Sequence, residues 1–130
     1  RLIQRFIELG EGYSDLYELL ELARYNKERV DQLLLLHTNK NDRNVCSFVV
    51  IMKPTSVGDF QALYMTLEGI PSPKEKRTKR FELFEQLAEQ LNKNIIELEV
   101  KPSTYYKEKE LYYQYLTGVL RLNHILPPLK

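Results

Sequence analysis

Five stretches of the chain carry the hydrophobic pattern of β-strands. Residues 2–9 are rich in β-branched and aromatic side chains, and residues 95–100 alternate apolar residues with two glutamates. Residues 33–36 and 45–52 are apolar on both faces, which is typical of interior strands that are covered from both sides. Residues 60–67 form a further apolar stretch of mixed polarity. The pattern therefore predicts five strands.

Three other stretches repeat apolar residues every three or four positions, which is the spacing of an amphipathic helix. The first is predicted to have a capping box of Asp15 and Glu18 and to end near Asn26. The last is predicted to be capped by Ser103 or Thr104 after Pro102 ends the preceding strand. We expect its packing face to consist of Leu111, Tyr112, Tyr115, Leu116, Val119 and Leu122.

The middle helix has the clearest start signal in the chain. Ser72 is the predicted N-cap, Pro73 occupies the first helical position and Glu75 completes a capping box. The segment Asn92-Lys93-Asn94 ends it. Its predicted packing face consists of Phe81, Phe84, Leu87, Ala88 and Leu91.

The element order is therefore β-α-β-β-β-α-β-α. Residues 39–44 are a hairpin turn, and the two later helices can return the chain to the sheet. We expect an α/β (α+β) fold with a five-stranded mixed sheet and helices packed on it, in one domain over residues 1–130. The tail after Asn123, with Pro127 and Pro128, should lie extended on the surface.

The composition of the chain argues against a general nucleic-acid-binding or membrane-binding protein. Nineteen basic and eighteen acidic residues leave a net charge of +1, so wholesale electrostatic binding to nucleic acid or membrane is not indicated. The chain has neither a signal-peptide pattern nor a long apolar run. One cysteine, Cys46, falls in an apolar strand and should be an inert core thiol. We therefore expect a cytoplasmic protein.

The most unusual feature is a cluster of cations at the predicted start of the middle helix, where the helix dipole disfavours them. With the amides that follow Ser72, the cations Lys76, Arg77 and Arg80 form a candidate anion site for a phosphate-bearing small molecule. The alternatives are internal ion pairs with acidic residues of the neighbouring loops, or contact with RNA or protein. The acidic residues that could form such internal ion pairs are Glu8, Glu11, Asp59 and Glu68.

Two further groups of residues are candidate sites. Lys101, Ser103, Thr104 and Tyr112 follow the last strand, at a position where α/β folds often bind ligands, although the first three are also good capping residues. The second group either covers part of the core or forms the surface of a homodimer. It consists of Tyr106, Tyr113 and Leu120.

The histidines do not indicate a catalytic or metal site. His37 ends a buried strand and is interpreted as a capping or hydrogen-bonded residue, with a general base as the alternative. His124 follows the last helix and should support its carboxyl end. Together with Cys46 they make no recognisable set of metal ligands, and no cofactor motif accompanies them.

The element order resembles the GNAT-type N-acetyltransferase fold. The stretch Ile96-Glu97-Leu98-Glu99-Val100 followed by Leu111-Tyr112 is similar to that family's late strand and following helix. The resemblance implies coenzyme A binding, a V-shaped opening between the fourth and fifth strands, and Tyr112 as general acid, although a core tyrosine is the alternative. The family's glycine turn binds pyrophosphate through bare amides, whereas residues 74–80 contain no glycine.

Two segments, residues 5–13 and residues 99–104, are similar to a small uncharacterised family of Bacillus-type bacteria. Members of that family are sometimes labelled methylthioribose kinase. The chain contains neither a phosphate-binding loop of the G-x-x-x-x-G-K-[ST] type nor the glycine-rich loop of kinases, and it is too short for two lobes. The resemblance therefore implies family membership and no kinase activity.

The sequence favours a small cytoplasmic, non-catalytic domain that acts through a bound anion or a partner. Its unusual features are binding features, without an accompanying base and nucleophile. The alternative is an acyltransferase-like enzyme of the GNAT type that lacks the usual glycine loop.

Overall fold

The computed structural model describes residues 2–56 and 58–128. These residues form three α-helices and six strands, which confirms the predicted mixed α/β class. Two 3₁₀ turns, Lys27–Arg29 and Ser103–Tyr105, complete the regular structure. In chain order the elements are β1 (Ile3–Leu9), α1 (Tyr13–Tyr25), β2 (Val30–Lys40), β3 (Arg43–Met52), β4 (Phe60–Thr66), β5 (Ile70–Pro71), α2 (Lys79–Leu91), β6 (Ile95–Glu99) and α3 (Lys109–Leu122).

The strands form one mixed sheet in the order β1-β4-β3-β2-β6, with the short β5 beside β3. The β1/β4 and β2/β6 pairs are parallel, whereas β3 is antiparallel to both of its long neighbours. Four of the five long strands therefore run in one direction. Their carboxyl ends meet at one side of the sheet, which we call the carboxyl-terminal edge.

The sheet is covered on both faces. One core lies under α1 and α2, where the rings of Phe48 and Phe84 stack with centroids 4.7 Å apart. The other lies under α3 and joins Leu34 of β2 to Leu116 of α3. This arrangement explains why residues 33–36 and 45–52 are apolar on both faces.

The strand order differs from the acetyltransferase arrangement. That arrangement requires β4 and β6, the predicted fourth and fifth strands, to lie side by side and splay apart. In this sheet β3 and β2 lie between them. The V-shaped opening is therefore absent from the described residues.

The predicted start of the middle helix was wrong. The helix begins at Lys79, and its N-cap is Thr78, whose side chain accepts a hydrogen bond from the Phe81 amide. Ser72 instead begins a separate turn. At the other end Asn92 adopts a left-handed conformation, with φ 56°, in agreement with the predicted stop.

The first helix begins one turn earlier than its capping signal indicated. Its N-cap is Gly12, whose amide donates to the Asp15 carboxylate at 3.2 Å. The hairpin between β2 and β3 turns at Asn41 and Asp42. Both adopt positive φ, at 53° and 62°, as the tightest hairpin turns require.

The last helix also differs from its prediction. Its N-cap is Glu108, because Ser103 and Thr104 lie in a preceding 3₁₀ turn. Leu122, a member of the predicted packing face, is 82% exposed, whereas Leu120 of the predicted interface group is buried. The tail after the helix is not simply extended on the surface, because two of its residues pack into the second core, namely Ile125 and Leu126.

Candidate functional site

Ser72 organises the loop that precedes α2. The residue is fully buried, and its amide donates to the Asn44 carbonyl of β3 at 2.9 Å. Its own carbonyl accepts from the amides of Glu75 and Lys76, both at 2.9 Å, and its hydroxyl accepts from the Lys74 amide. These bonds form a tight turn over residues 72–76 and fix it against the β2–β3 hairpin.

Ser72 also takes part in a hydrogen-bond chain that runs from the buried residues Ser72 and His37 to the exposed Glu97. Its Oγ lies 2.8 Å from Nδ1 of His37, and Nε2 of His37 lies 2.7 Å from the Glu97 carboxylate. Because a carboxylate only accepts, Nε2 carries a proton. In the neutral imidazole the Ser72 hydroxyl then donates to Nδ1, so that both ring nitrogens are paired. His37 is therefore hydrogen-bonded.

This chain contains the residue types of a hydrolytic triad but lacks its geometry. The serine bonds to Nδ1 and the carboxylate to Nε2, which is the reverse of the protease arrangement. Ser72 is fully buried, so a substrate has no access to its hydroxyl. The chain therefore fixes the loop and pairs buried polar groups.

Above the turn is a cavity of about 330 Å³ at the carboxyl-terminal edge. Lys40 and Arg43, which flank the β2–β3 hairpin turn, and Lys76 of the Ser72 turn contribute cations to its wall. Glu75 also lines the cavity, but its carboxylate accepts from the Asn44 amide at 2.7 Å. The remaining lining residues are Asn41, Asn44, Val45, Gly69 and Pro71.

The positive charge of this cavity is only partly compensated. Lys40 lies 3.8 Å from the Glu68 carboxylate. Among the residues that the structure describes, no carboxylate lies within ion-pair distance of Arg43 or Lys76. The cavity therefore has cationic groups available to a ligand.

Two of the predicted anion-site residues lie elsewhere. Arg77 pairs with the carboxylates of Glu82 and Glu85 and lies over the Phe81 ring. Arg80 donates to the Glu11 carbonyl at 2.7 Å and lies over the Tyr13 ring. Of the four predicted residues, only Lys76 lines the cavity, and Ser72 supports it from below.

Of the four residues of the predicted cleft, Ser103 and Tyr112 pack into the structure, whereas Lys101 and Thr104 are exposed. Both the amide and the hydroxyl of Ser103 donate to the buried Glu68 carboxylate. The Lys101 amide donates to the Tyr115 hydroxyl at 2.9 Å, and Thr104 is exposed. Tyr112 is buried, and this burial raises the pKa of its phenol.

The residues of the predicted interface do not form an outward patch. Leu120 is buried in the second core. The Tyr113 ring stacks on Phe6 with centroids 4.8 Å apart, and its hydroxyl donates to Glu8 at 3.0 Å. Tyr106 packs against other tyrosines of this core. Covering the core is thus the alternative that the structure supports.

Sequence reasoning missed the cationic contribution of the hairpin. The pattern of residues 39–44 predicts a polar hairpin turn and does not single out Lys40 and Arg43 as site residues. A usable signal was present, since a tight turn between two strands brings its flanking residues together. Glu97 is one of the two glutamates on the polar face of the alternating strand, and its bond to His37 depends on the parallel β2/β6 pairing.

Within the described residues no helix has the length and apolar character needed to cross a membrane.

Comparisons with known proteins place the chain in a family. No curated protein and no solved structure matches the chain significantly. A family model described as a domain of unknown function, DUF7147, matches residues 2–126. Because this match spans nearly the whole sequence, the chain belongs to the DUF7147 family.

Proposed function

We propose that the protein is a binding domain for a small molecule that carries a phosphate group, held in the cavity at the carboxyl-terminal edge. The observation that carries the proposal is the convergence of Lys40, Arg43 and Lys76 on one cavity. These cations come from two segments that are distant in sequence and that Ser72 joins to each other.

Electrostatics favours an anionic ligand. Arg43 and Lys76 have no ion-pair partner in the described part of the chain, and the one carboxylate in the wall is held by the Asn44 amide. A phosphate offers several acceptor oxygens and pairs with arginine through two parallel hydrogen bonds. Lysine adds a mobile point charge that suits the same group.

The position and size of the cavity support the same proposal. Sheets with parallel strands often bind ligands outside the carboxyl ends of those strands. A volume of about 330 Å³ lies near the lower end of the range for small-molecule sites. This size suits a phosphorylated metabolite better than a large cofactor.

The proposal is tested by thermal unfolding with inorganic phosphate, sugar phosphates and nucleotides, at an ionic strength matched with chloride. We expect phosphate compounds to protect the protein in proportion to site occupancy, by about 2.7 kcal/mol at a hundredfold excess over the dissociation constant. The double variant Arg43→Gln/Lys76→Gln should lose this protection. Arg77→Gln should keep it, because Arg77 pairs with carboxylates away from the cavity.

Two outcomes would contradict the proposal. One is phosphate protection no greater than that of chloride in the wild-type protein. The other is protection that disappears in Arg77→Gln and persists in the double variant, since the site would then lie along α2. Saturable binding of RNA, but of no phosphorylated small molecule, would indicate a different class of ligand.

A further inference from the structure

We propose that a second cavity, between β1 and α3, binds a small monocarboxylate through the guanidinium group of Arg121. This site lies on the opposite face of the sheet from α1 and α2 and is independent of the phosphate proposal. The cavity has a volume of about 590 Å³. Residues 2–6 line one side, and the α3 side chains lining the other are Glu110, Tyr113, Gln114, Thr117 and Arg121.

A chain of amides fixes the orientation of Arg121. Its Nη2 donates to Oε1 of Gln4 at 3.2 Å, and Nε2 of Gln4 donates to Oε1 of Gln61 at 3.0 Å. Nε2 of the buried Gln61 donates to the Met52 carbonyl at 3.1 Å. Because a backbone carbonyl only accepts, it sets the direction of each amide and leaves the Gln4 oxygen facing the arginine.

The guanidinium group retains unused hydrogen-bonding capacity. Its Nε is shielded from solvent and has no acceptor among the described residues. No carboxylate of those residues lies within ion-pair distance of it. The shielded Nε is closed to a ligand, but Nη1 has no acceptor among the described residues, and the two terminal nitrogens can offer their remaining protons to the two oxygens of a carboxylate.

The charges around the cavity favour a single carboxylate over a phosphate dianion. Arg5 contributes to the lining, but its guanidinium lies over the Phe60 ring, which packs with the core on the other face of the sheet. Arg121 is thus the cation that α3 supplies, and Glu110 adds a negative charge to the same wall. With one cation and one carboxylate, the wall carries no excess of positive charge, which disfavours a phosphate dianion more strongly than a single carboxylate held by the Arg121 fork.

The other side chains that line the cavity indicate which chemical groups the ligand carries beside its carboxylate. The Thr117 hydroxyl donates to the Tyr113 carbonyl at 2.8 Å, so its oxygen is left as an acceptor. Thr117 and Arg121 are four residues apart on one helix and therefore neighbours on its surface. A carboxylate at Arg121 places an adjacent hydroxyl or amino group near Thr117. The stacked rings of Phe6 and Tyr113 supply an apolar surface.

The test titrates the full chain with lactate and with lactamide, which has the same shape but no carboxylate charge, and follows backbone amide resonances. We expect saturable shifts with lactate at Arg121, Thr117 and Gln4, and none with lactamide. Arg121→Gln should weaken lactate binding at least tenfold. Arg121→Lys should restore only part of the affinity, because lysine keeps the charge but lacks the fork.

Arg24→Gln is the matched control, because it removes an arginine that lies outside this cavity and donates to Gln90 on the other face of the sheet. It should leave lactate binding unchanged. If Arg121→Gln does not fold, Thr117→Val provides the second variant and should weaken lactate binding without affecting the binding of acetate, which has no adjacent hydroxyl. Three results would overturn the proposal: equal binding of lactamide, shifts confined to the Lys40–Arg43–Lys76 cavity, or no saturable response to lactate or acetate.

Discussion

The imidazole of His37 and the hydroxyl of Ser72 lie 2.8 Å apart, although 35 residues separate them in the chain. His37 belongs to the interior strand β2, whereas Ser72 begins the turn that carries Lys76 to the cavity. The hydrogen bond therefore joins the sheet to the proposed phosphate site. Changes at either residue should affect the stability of the fold and the shape of this turn.

Ser72→Ala should lower the free energy of unfolding by about 1–3 kcal/mol, the cost of leaving buried polar groups unpaired. The substitution removes the donor to His37 and the acceptor of the Lys74 amide. Urea denaturation measures the change, and exposed Ser56→Ala is the control. Equal stability of the two variants would show that the buried bond has no net value.

Thr78→Ala should destabilise the protein by about 1 kcal/mol, because the Thr78 side chain caps α2. Thr104→Ala is the matched comparison, since the sequence suggested a cap there but the residue is exposed in a 3₁₀ turn. Its effect should stay within about 0.5 kcal/mol. Chemical denaturation followed by helical circular dichroism distinguishes the two, and the opposite ranking would contradict the observed helix starts.

Leu120→Ala should cost about 2–5 kcal/mol, as expected for a fully buried leucine. Leu122→Ala, two residues further along the same helix, should change stability by less than about 0.5 kcal/mol because Leu122 is 82% exposed. Thermal unfolding of the pair tests which face of α3 packs on the sheet. A large loss in Leu122→Ala would mean that this surface is covered in solution.

Cys46 should resist thiol reagents in the folded protein. Burial raises the pKa of the Cys46 thiol from 9.0 to about 12, so the reactive thiolate is scarce at neutral pH. Labelling should be more than about a thousandfold slower than in the denatured chain, since it requires opening of the fold. Rapid labelling of the native protein would show that β3 opens locally.

The same shift predicts how stability changes at alkaline pH. The folded protein keeps the Cys46 proton to higher pH than the unfolded chain. The stability that this proton contributes is therefore fully present below about pH 9 and is lost as the pH rises towards 12. Cys46→Ala should therefore show a shallower loss of unfolding free energy between about pH 9 and pH 11 than the wild type. The buried tyrosines are common to both proteins and cancel in this comparison. Parallel slopes would count against the shift.

Much of the fold was predictable because the hydrophobic periodicity of a strand is a local property of the sequence. The first residues of the helices were less predictable, since tertiary contacts compete for the polar groups that would otherwise cap a helix. Glu75 was expected to accept from the Ser72 amide and so complete a capping box. Instead, the Ser72 amide donates to the Asn44 carbonyl and Glu75 accepts from the Asn44 amide. Asn44 of β3 thus binds both groups, and the helix begins later, at Lys79, with Thr78 as its N-cap.

The candidate site was only partly predictable for a related reason. Lys76 was identified from local charge, but Lys40 and Arg43 join it only through the pairing of β3 with the segment before α2. Arg77 lies just before α2, where it pairs with Glu82 and Glu85 of that helix, five and eight residues further along the chain. Long-range pairing, which brings distant segments together, was the missing information.

The order of strands in the sheet has a consequence for how the chain assembles. β2, β3 and β4 are consecutive in sequence and pair as neighbours, whereas β1 and β6 add to the two outer sides from distant parts of the chain. Closing those long loops is entropically costly, so the central meander should form first. Native-state hydrogen exchange should accordingly protect the amides of β3 most and release those of β1 and β6 earlier, through partial opening of the outer strands.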